Sequence, residues 1–184
     1  MIHKTLTTSC GHKIEIYQNV FPIFKCEFFM SFAQGSNYKV GRYSGEGSIN
    51  RPGNFFSCTF TDEDDNNFGL NNTPEVQSIL GKVSKVISWV NATIKGSWYF
   101  SHVDFMNNGQ DQKEYITLLY NINRFWDNEY GGETLFYNSY GEKEIAVDFI
   151  PNQIVVFPSR LAHKPAFSDG NTEPRYMYSC QYVK

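Results

Sequence analysis

Residues 98–104 read WYFSHVD, the first of seven short segments in which aromatic and β-branched residues dominate. The six that follow are YITLLYNIN (115–123), ETLFYN (133–138), EIAVDFI (144–150), QIVVFP (153–158), AHKPAF (162–167) and RYMYSCQYV (175–183). Between them lie turn-forming runs such as NNG, YGGE, SYGE, IPN and SDGN. Many short strands joined by turns, without a helical pattern between them, are typical of a β-sandwich or jelly roll. The sequence therefore predicts a β-core from about residue 97 onward.

Two helices are predicted ahead of this core. Residues 19–35 are apolar at roughly helical spacing and end in a glycine, a common stop signal. Thr73, Pro74 and Glu75 combine an N-cap, a proline at the first helical position and an acid in the first turn. The apolar residues after them recur at intervals of three and four: Val76, Ile79, Leu80, Val83, Val86, Ile87 and Val90. This spacing predicts an amphipathic helix that continues to about residue 90.

The segment between the two helices is expected to be extended, with an acidic run at its end. Strand-like pieces lie around 37–49 and 54–60, and TDEDDNNFGLNN follows at 61–72. Blocks of like charge are usually solvated, which favours an exposed loop. The alternative is that residues 62–72 order over a substrate bound at an active site.

The chain length of 184 residues fits one domain with a sizeable core. We expect a single domain over 1–184, with helices and supporting strands in 1–96 and the β-core in 97–184. Aromatic residues make up 17% of the sequence, which favours sheet because these side chains suit half-buried pleated surfaces. The predicted fold class is α+β, mainly β, with supporting N-terminal helices.

Charge and cysteine content indicate which binding partners and which cellular compartment to expect. The net charge of −3 gives no global positive field, so a nucleic-acid partner is not expected. No apolar run approaches the roughly 18 residues that span a bilayer, and no secretory h-region is present near residue 1. The four cysteines form no Cys-x-x-Cys pair, which is typical of reduced thiols. We expect a cytoplasmic protein without membrane association, whose oligomeric state the sequence leaves open.

His102, Asp104 and His163 are the candidate metal ligands. His102 and Asp104 end the WYFSHVD segment, and residues i and i+2 of a strand point to the same face. His163 follows the strand segment QIVVFP. Two histidines and one carboxylate form the facial triad of non-haem Fe(II) sites, which leaves coordination positions open. A His-x-Asp tripeptide alone is a weak signal, since it often occurs by chance.

Arg175 strengthens the interpretation. It begins the last strand segment, and Met177, Ser179 and Gln181 share its face by the two-residue period. A guanidinium in a closed cavity needs a planar anion, because an unpaired buried charge is costly. A dicarboxylate that chelates iron at one end would present its other carboxylate to Arg175, and the Ser179 hydroxyl would add a hydrogen bond. The alternative is a surface arginine paired with an acid such as Glu173.

The order of these motifs resembles the Fe(II)- and 2-oxoglutarate-dependent oxygenases of the prolyl hydroxylase type. The segments that carry the resemblance are HVD, YITLLYNIN, YGGETLFY, VVFPSRLAHKP and RYMYSCQY, within roughly residues 97–182. The resemblance implies a double-stranded β-helix (jelly-roll) core. It also implies an enzyme that uses Fe(II), 2-oxoglutarate and O2, with ascorbate as a further candidate cofactor.

The resemblance also assigns roles to individual residues. The implied iron ligands and catalytic residues are His102, Asp104 and His163. The implied 2-oxoglutarate-binding residues are Arg175, Ser179, Tyr99, Thr117, Leu119 and Asn121. Asn121 stands where the animal relatives carry a tyrosine that contacts the cosubstrate, and Tyr115 on the same face is expected to compensate. The interval from His163 to Arg175 is slightly long, which the SDGN turn is expected to absorb.

Several other residues have both a functional and a structural interpretation. Trp98 and Trp126 are candidates for a substrate wall near the metal, and core packing is the alternative for each. Arg160 contacts either the substrate or a surface acid. Gly131 and Gly132 are expected to serve a backbone turn. His3 and His12 have no partner spacing and are expected at the surface.

Three functions remain open on the sequence. The first is hydroxylation of a prolyl residue in a peptide or protein, with release of succinate and CO2. The second is hydroxylation of a free amino acid or another small molecule. The third belongs to another class, a β-sandwich that binds a metal without turnover. The triad and Arg175 favour the enzymes, because a binding module needs no open iron positions.

Overall fold

The structure is a computed structural model that describes residues 1–40, 55–97, 99–104, 113–168 and 173–184. Within these residues the chain forms three α-helices: α1 (Ile23–Gly35), α2 (Asp62–Phe68) and α3 (Pro74–Leu80). Short 3₁₀ turns lie at Leu70–Asn72 and Asn128–Tyr130. The same residues contain eleven strands: β1 (Ile2–Thr7), β2 (Lys13–Gln18), β3 (Lys39–Val40), β4 (Phe56–Thr59), β5 (Ser84–Thr93), β6 (Tyr115–Asn121), β7 (Thr134–Tyr137), β8 (Lys143–Val147), β9 (Gln153–Pro158), β10 (His163–Pro165) and β11 (Arg175–Val183).

The strands form two antiparallel sheets. In the described residues the large sheet has eight strands in the order β1-β2-β9-β6-β11-β5-β4-β3, and the small sheet has three in the order β10-β7-β8. This arrangement is a double-stranded β-helix, or jelly roll, and the prediction of that fold is confirmed. The predicted strand segments after residue 113 all form strands, although AHKPAF contributes only His163–Pro165.

The central strand β11 divides the interior into two regions. Its even-numbered residues from Tyr178 to Tyr182 pack in an apolar core with α1, α2 and α3. Its odd-numbered residues, which include Arg175 and Met177, face the space between the two sheets. Since successive side chains of a strand point to opposite faces, one strand supplies both a helix-covered core and a polar cavity.

The second predicted helix is too long. Helix α3 ends at Leu80, because Gly81 adopts a positive φ of 68° and stops the helical hydrogen-bond pattern. Val86, Ile87 and Val90, which continued the apolar spacing, belong to strand β5, which pairs with β11 and β4. The run KVISWV is rich in β-branched residues and fits a strand between two neighbours better than a helix.

The acidic run is also not a loop. Thr61 and Asp64 form a capping box at the start of α2, and the acids of the first turn suit the positive end of a helix. Phe68 is buried against the aromatic core, and Asp65 is buried beneath the helix. The segment is therefore a helix rather than a loop, and it packs on the sheet face opposite the cavity rather than over it. Asp62 and Glu63 are exposed, as the charge pattern predicts.

Other predictions differ in their bounds. The first helix is confirmed, but it begins at Ile23 rather than near Asn19, which has a φ of 54°. Of the pieces expected around 37–49 and 54–60, the described part forms β3 and β4, and residues 41–54 lie outside the described residues. WYFSHVD is not a continuous strand: in its described part only His102 forms a β-bridge, to His163.

The large sheet draws strands from both sides of residue 97, since β1 to β5 precede it and β6, β9 and β11 follow it. The N-terminal segment therefore extends the sheet on which the cavity lies. The division of the single domain at residue 97 stays a prediction.

Candidate iron and 2-oxoglutarate site

His102, Asp104 and His163 lie at the open edge of the small sheet. The backbone amide of His102 donates to the carbonyl of His163 at 3.0 Å, and the reverse bond is 2.9 Å long. The amide of Asp104 donates to the carbonyl of Ser159 at 3.0 Å. These bonds fix the two ends of the triad against each other, although sixty residues of sequence separate them.

The side chains of the three residues converge on one point. Nε2 of His102 lies 3.5 Å from Oδ1 of Asp104, and Nε2 of His163 lies 3.6 Å from Oδ2 of the same carboxylate. One ligand atom from each residue can be chosen so that all lie within 4.8 Å of one another. Two imidazole nitrogens and one carboxylate oxygen at this spacing match the donor set of non-haem Fe(II) sites.

Backbone carbonyls orient both imidazole rings. Nδ1 of His102 lies 3.1 Å from the carbonyl oxygen of Phe100, and Nδ1 of His163 lies 2.9 Å from that of Leu161. With Nδ1 protonated to donate these bonds, Nε2 of each ring carries the free lone pair that a metal requires. These partners could not be named from the sequence, because any residue has a carbonyl.

Asp104 is held by groups from the large sheet. The Thr117 hydroxyl donates to its Oδ2 at 2.7 Å, and the Gln181 amide donates to its backbone carbonyl at 3.2 Å. Burial alone would raise the pKa of this carboxyl, but His163, His102 and the Thr117 hydroxyl outweigh it and hold the pKa below its usual range. Its Oδ1 is buried without a hydrogen-bond partner. A buried carboxylate oxygen without a partner is costly, so this atom fits a metal ligand.

The two imidazoles differ in exposure and in pKa. The His163 side chain is 6% exposed and that of His102 is 41% exposed. Burial lowers the pKa of His163, which favours the neutral ring that binds metals. Burial also acts to lower the pKa of His102, but the Asp104 carboxylate outweighs this effect and raises it.

Arg175 lies at the other end of the cavity and is almost completely buried, at 1% exposure. Its guanidinium lies over the Phe149 ring, 4.2 Å from the ring centroid, and donates weakly to the Met177 sulfur at 3.5 Å. Its Nε and Nη1 have no hydrogen-bond partner. Burial lowers the pKa of Arg175 to about 10, so the group remains a cation at neutral pH. The alternative of a surface pair with Glu173 is therefore wrong.

Two consecutive glycines make room for this arginine. Gly131 and Gly132 have φ values of 67° and 86°. A Cβ on Gly132 would lie 3.1 Å from Cδ of Arg175, and a Cβ on Gly131 would lie 2.5 Å from the carbonyl oxygen of Phe167. The predicted role of the GGE turn in shaping the backbone is confirmed, and the turn also lines the arginine.

A cavity of about 130 Å³ joins the triad to Arg175. Of the residues implied by the resemblance, Leu119, Ser179 and Tyr99 line it. Tyr99 also shares a hydrogen bond of 2.7 Å with the Thr93 hydroxyl, and burial raises its pKa to about 12. Further lining residues were missed on the sequence: Phe55, Ser57, Trp89, Asn91, Thr134 and Pro165. Among these, only Thr134 could have been suspected from the sequence, because it directly follows the GGE turn.

Three of the expected cosubstrate residues lie elsewhere. Thr117 contacts Asp104 rather than the space near Arg175. The Asn121 amide donates to the carbonyl of Ile150 at 3.1 Å and to Oε1 of Gln153 at 3.2 Å, which turns it away from the cavity. Tyr115 lies one pleat repeat before Thr117, at the start of β6, and is not among the described lining residues. Its expected compensation for Asn121 stays a prediction.

The two residues proposed to contact substrate also lie outside the cavity. Trp126 is buried in an apolar cluster with Phe149 and Phe157, where its indole N–H donates to the carbonyl of Gly131 at 2.8 Å. Arg160 lines a separate surface cleft with His12 and Lys184. Trp98 and the SDGN turn after Phe167 lie, apart from Ser168, outside the described residues.

Comparison with known proteins identifies the family. A sequence model of the 2OG-Fe(II) oxygenase superfamily matches residues 88–180, half of the chain. The chain therefore belongs to the 2OG-Fe(II) oxygenase superfamily. Fe(II) and 2-oxoglutarate are the cofactors of that family, as the sequence predicted, and the His102, Asp104 and His163 cluster fits the metal. No curated protein matches the sequence at a significant level.

Solved structures share the fold at low identity. A Trichoplax adhaerens prolyl hydroxylase in complex with a hypoxia inducible factor peptide has 20% identity and a TM-score of 0.68, covering 92% of this chain and 82% of its own. A Pseudomonas putida prolyl-4-hydroxylase has 12% identity and a TM-score of 0.66, covering 95% and 94%. HygX from Streptomyces hygroscopicus, with nickel and 2-oxoglutarate bound, has 12% identity and a TM-score of 0.68, covering 96% and 83%. At such identities the likeness shows the fold.

The remaining sequence predictions concern thiols and membranes. The four cysteines all lie in the described part of the chain and form no disulfide there, and Cys26 and Cys180 are buried in the apolar core. Among the described residues no helix is long and apolar enough to cross a membrane.

Proposed function

We propose that the protein is an Fe(II)- and 2-oxoglutarate-dependent dioxygenase that hydroxylates a prolyl residue of a peptide or protein. One observation carries the cofactor part of this proposal. The cavity holds unsatisfied polar groups of opposite charge at its two ends, Asp104 Oδ1 and the Arg175 Nε and Nη1 atoms. A metal held at one end together with an anion bound at the other satisfies both.

In this proposal His102, Asp104 and His163 hold the iron, and Arg175 binds the distal carboxylate of 2-oxoglutarate. The bound metal and cosubstrate supply the oxygen chemistry, in which 2-oxoglutarate is converted to succinate and CO2 as the substrate gains a hydroxyl group. The protein positions them: carbonyls fix the imidazole rings, and Thr117 and Gln181 hold the Asp104 segment. Leu119 and Met177 exclude water between the two ends.

Thr134 and Ser179 are proposed to complete the carboxylate pocket. Both are buried, line the cavity and carry a hydroxyl group. They replace the hydrogen bond that Asn121 cannot give, since its amide is bonded to Ile150 and Gln153. A hydroxyl beside a guanidinium adds a second donor to a bound carboxylate.

The prolyl assignment rests on the motif resemblance and on the likeness to two prolyl hydroxylases. Hydroxylation of a free amino acid or another small molecule is the second candidate. A HygX structure that contains hygromycin B has a TM-score of 0.67 to this chain, so the same fold accommodates a small molecule. The non-catalytic metal-binding module is less favoured, because it gives Arg175 no partner.

Succinate formation and peptide mass spectrometry test the proposal together. Iron-loaded protein is incubated with 2-oxoglutarate, oxygen and a library of proline-containing peptides, and each product is examined for one added oxygen atom on proline. Oxidation of free amino acids alone would contradict the prolyl assignment, and absence of succinate with saturating iron would contradict the enzyme.

A further inference from the structure

A branch of the cavity over β4 and β5 is not used by the proposed cofactors. Asn91 lines it, and its carboxamide Oδ1 is buried without a hydrogen-bond partner. A buried acceptor left unsatisfied destabilises the folded protein, so its retention points to a ligand. The χ2 torsion of asparagine is broad, which allows this oxygen to turn towards the cavity.

The strand register places Asn91 in the floor of this branch. It pairs with Ser57 on β4 and with Met177 on β11, and directly paired side chains of antiparallel strands lie roughly 5 Å apart. The neighbouring row on the same face pairs Trp89 with Ser179. Asn91 therefore lies one strand to the side of the line that joins Arg175 to the iron ligands.

Aromatic side chains line the same branch. Phe55 stacks on Tyr99, with ring centroids 4.5 Å apart and planes at 24°, and Trp89 is 9% exposed. All three line the cavity. The branch thus offers flat apolar surface around one polar group, an arrangement typical of sites that bind a small organic group in one orientation.

The cosubstrate cannot satisfy Asn91 Oδ1. At neutral pH 2-oxoglutarate has two ionised carboxylates and a keto oxygen, all of which accept hydrogen bonds. Oδ1 is also an acceptor, so a bound molecule that satisfies it must offer an N–H or O–H donor.

We infer that Asn91 accepts a hydrogen bond from the organic substrate, and that the substrate presents an N–H or O–H group beside a compact apolar ring or chain. Asn91 is thus a specificity-determining residue. This inference rests on the proposed function, because it takes the line from Arg175 to the iron ligands as the cosubstrate's position.

The test uses two five-membered lactams that differ in one donor. Pyrrolidin-2-one carries an N–H, and N-methylpyrrolidin-2-one does not. Each is titrated into protein loaded with Ni(II) and 2-oxoglutarate, with protein NMR shifts as the readout, so no turnover is needed. The donor lactam is expected to bind roughly tenfold more tightly to the wild type, the effect of one hydrogen bond.

Two variants separate this role from a structural one. Asn91→Leu keeps the side-chain size and should reduce the preference for pyrrolidin-2-one over its N-methyl analogue to less than about threefold. Its thermal stability should not fall, because an unsatisfied buried group is removed. Asn91→Asp keeps an acceptor and should retain the preference. Both should bind 2-oxoglutarate as the wild type does.

Other outcomes overturn the inference. Equal binding of the two lactams, binding of neither, or an undiminished preference in Asn91→Leu would each exclude a donor contact at Asn91. Weakened 2-oxoglutarate binding in Asn91→Leu would place the residue in the cosubstrate pocket. Failure of the wild type to bind Ni(II) and 2-oxoglutarate would instead contradict the proposed function.

Discussion

The two faces of the large sheet each bury an aspartate, and the two differ in how their oxygens are satisfied. Asp104 lies between the sheets, where Oδ1 has no hydrogen-bond partner and an open cavity adjoins it. Asp65 belongs to helix α2, and its side chain is buried between this helix and the opposite face of the sheet. Its Oδ1 accepts from the Tyr178 hydroxyl at 3.0 Å, and its Oδ2 accepts from Lys85 and Ser88.

The Asp65 cluster is closed on itself. Asn71 donates to Asp65 and to Tyr178, and the Tyr182 hydroxyl donates to Asn71. Strand β11 contributes to both clusters, with the two tyrosines on one face and Gln181 and Arg175 on the other. The comparison teaches that burial of polar groups does not by itself mark a functional site. Of these two clusters, only the one on the cavity side contains polar atoms without a hydrogen-bond partner, which is what a ligand-binding site requires.

The largest expected difference between the two aspartates is in metal binding. Asp104→Ala removes a proposed ligand, so Fe(II) affinity and succinate formation should fall by at least roughly 1,000-fold, beyond the loss typical of residues that only support a ligand. The metal-free protein should also lose some stability, because the two imidazoles and the Thr117 hydroxyl lose the carboxylate that they stabilise. Iron content after desalting and thermal unfolding check the two effects. Asp62→Ala, at an exposed side chain, is the control, and iron retention by Asp104→Ala would contradict the ligand assignment.

Removal of the Arg175 guanidinium should weaken the binding of 2-oxoglutarate and leave the binding of Fe(II) unchanged. Arg175→Met keeps much of the volume but loses the donors, so the dissociation constant of 2-oxoglutarate should rise by roughly 100-fold while Fe(II) still binds. Isothermal titration of metal-loaded protein measures both. Arg160→Met serves as the matched control outside the cavity. An unchanged 2-oxoglutarate affinity in Arg175→Met would show that the carboxylate binds elsewhere.

A substitution in the Asp65 cluster should lower the stability of the protein without changing its affinity for Fe(II). Asp65→Ala leaves Tyr178, Ser88 and Lys85 without their shared acceptor and should cost about 2 kcal/mol in the free energy of unfolding. Lys85 is partly exposed, which keeps the loss below that of a fully buried pair. Urea unfolding gives the value. If Fe(II) affinity fell as well, the two faces would not be independent.

The smallest expected effect concerns the support of Asp104. Thr117→Val removes the hydroxyl that donates to Oδ2, and Fe(II) affinity should fall by roughly tenfold, with little change in the affinity for 2-oxoglutarate. Metal titration against a competing chelator resolves such a change. Thr5→Val, at an exposed position of β1, is the control. A larger effect on 2-oxoglutarate than on iron would return Thr117 to the cosubstrate pocket.

The sequence revealed the ends of the cavity better than its walls. His102, Asp104, His163 and Arg175 stand next to strand segments and carry chemistry that few other interpretations explain. Asn91 was hidden, because the apolar spacing up to Val90 satisfied a helical period and masked the alternation of strand β5. Gly81 and the β-branched run after it were the signals that favoured a strand.

Other features depended on tertiary packing. The charge of residues 62–65 indicated solvent exposure, but three strand residues and the capping box stabilise α2 over the sheet. For Trp126 the sequence left open a substrate wall or core packing, and the structure shows core packing, with the indole N–H donating to the Gly131 carbonyl. The carbonyls that orient the two imidazoles cannot be identified from residue types, since every residue offers one.

The most direct test of the central claim is an anaerobic titration of metal-free protein with Fe(II) and 2-oxoglutarate, followed by visible absorption. We expect a weak charge-transfer band that requires both components and is absent in His163→Ala, because the keto acid must chelate an iron held by the triad. A folded wild-type protein that binds neither component and shows no band would contradict the account and favour a β-sandwich without oxygenase activity.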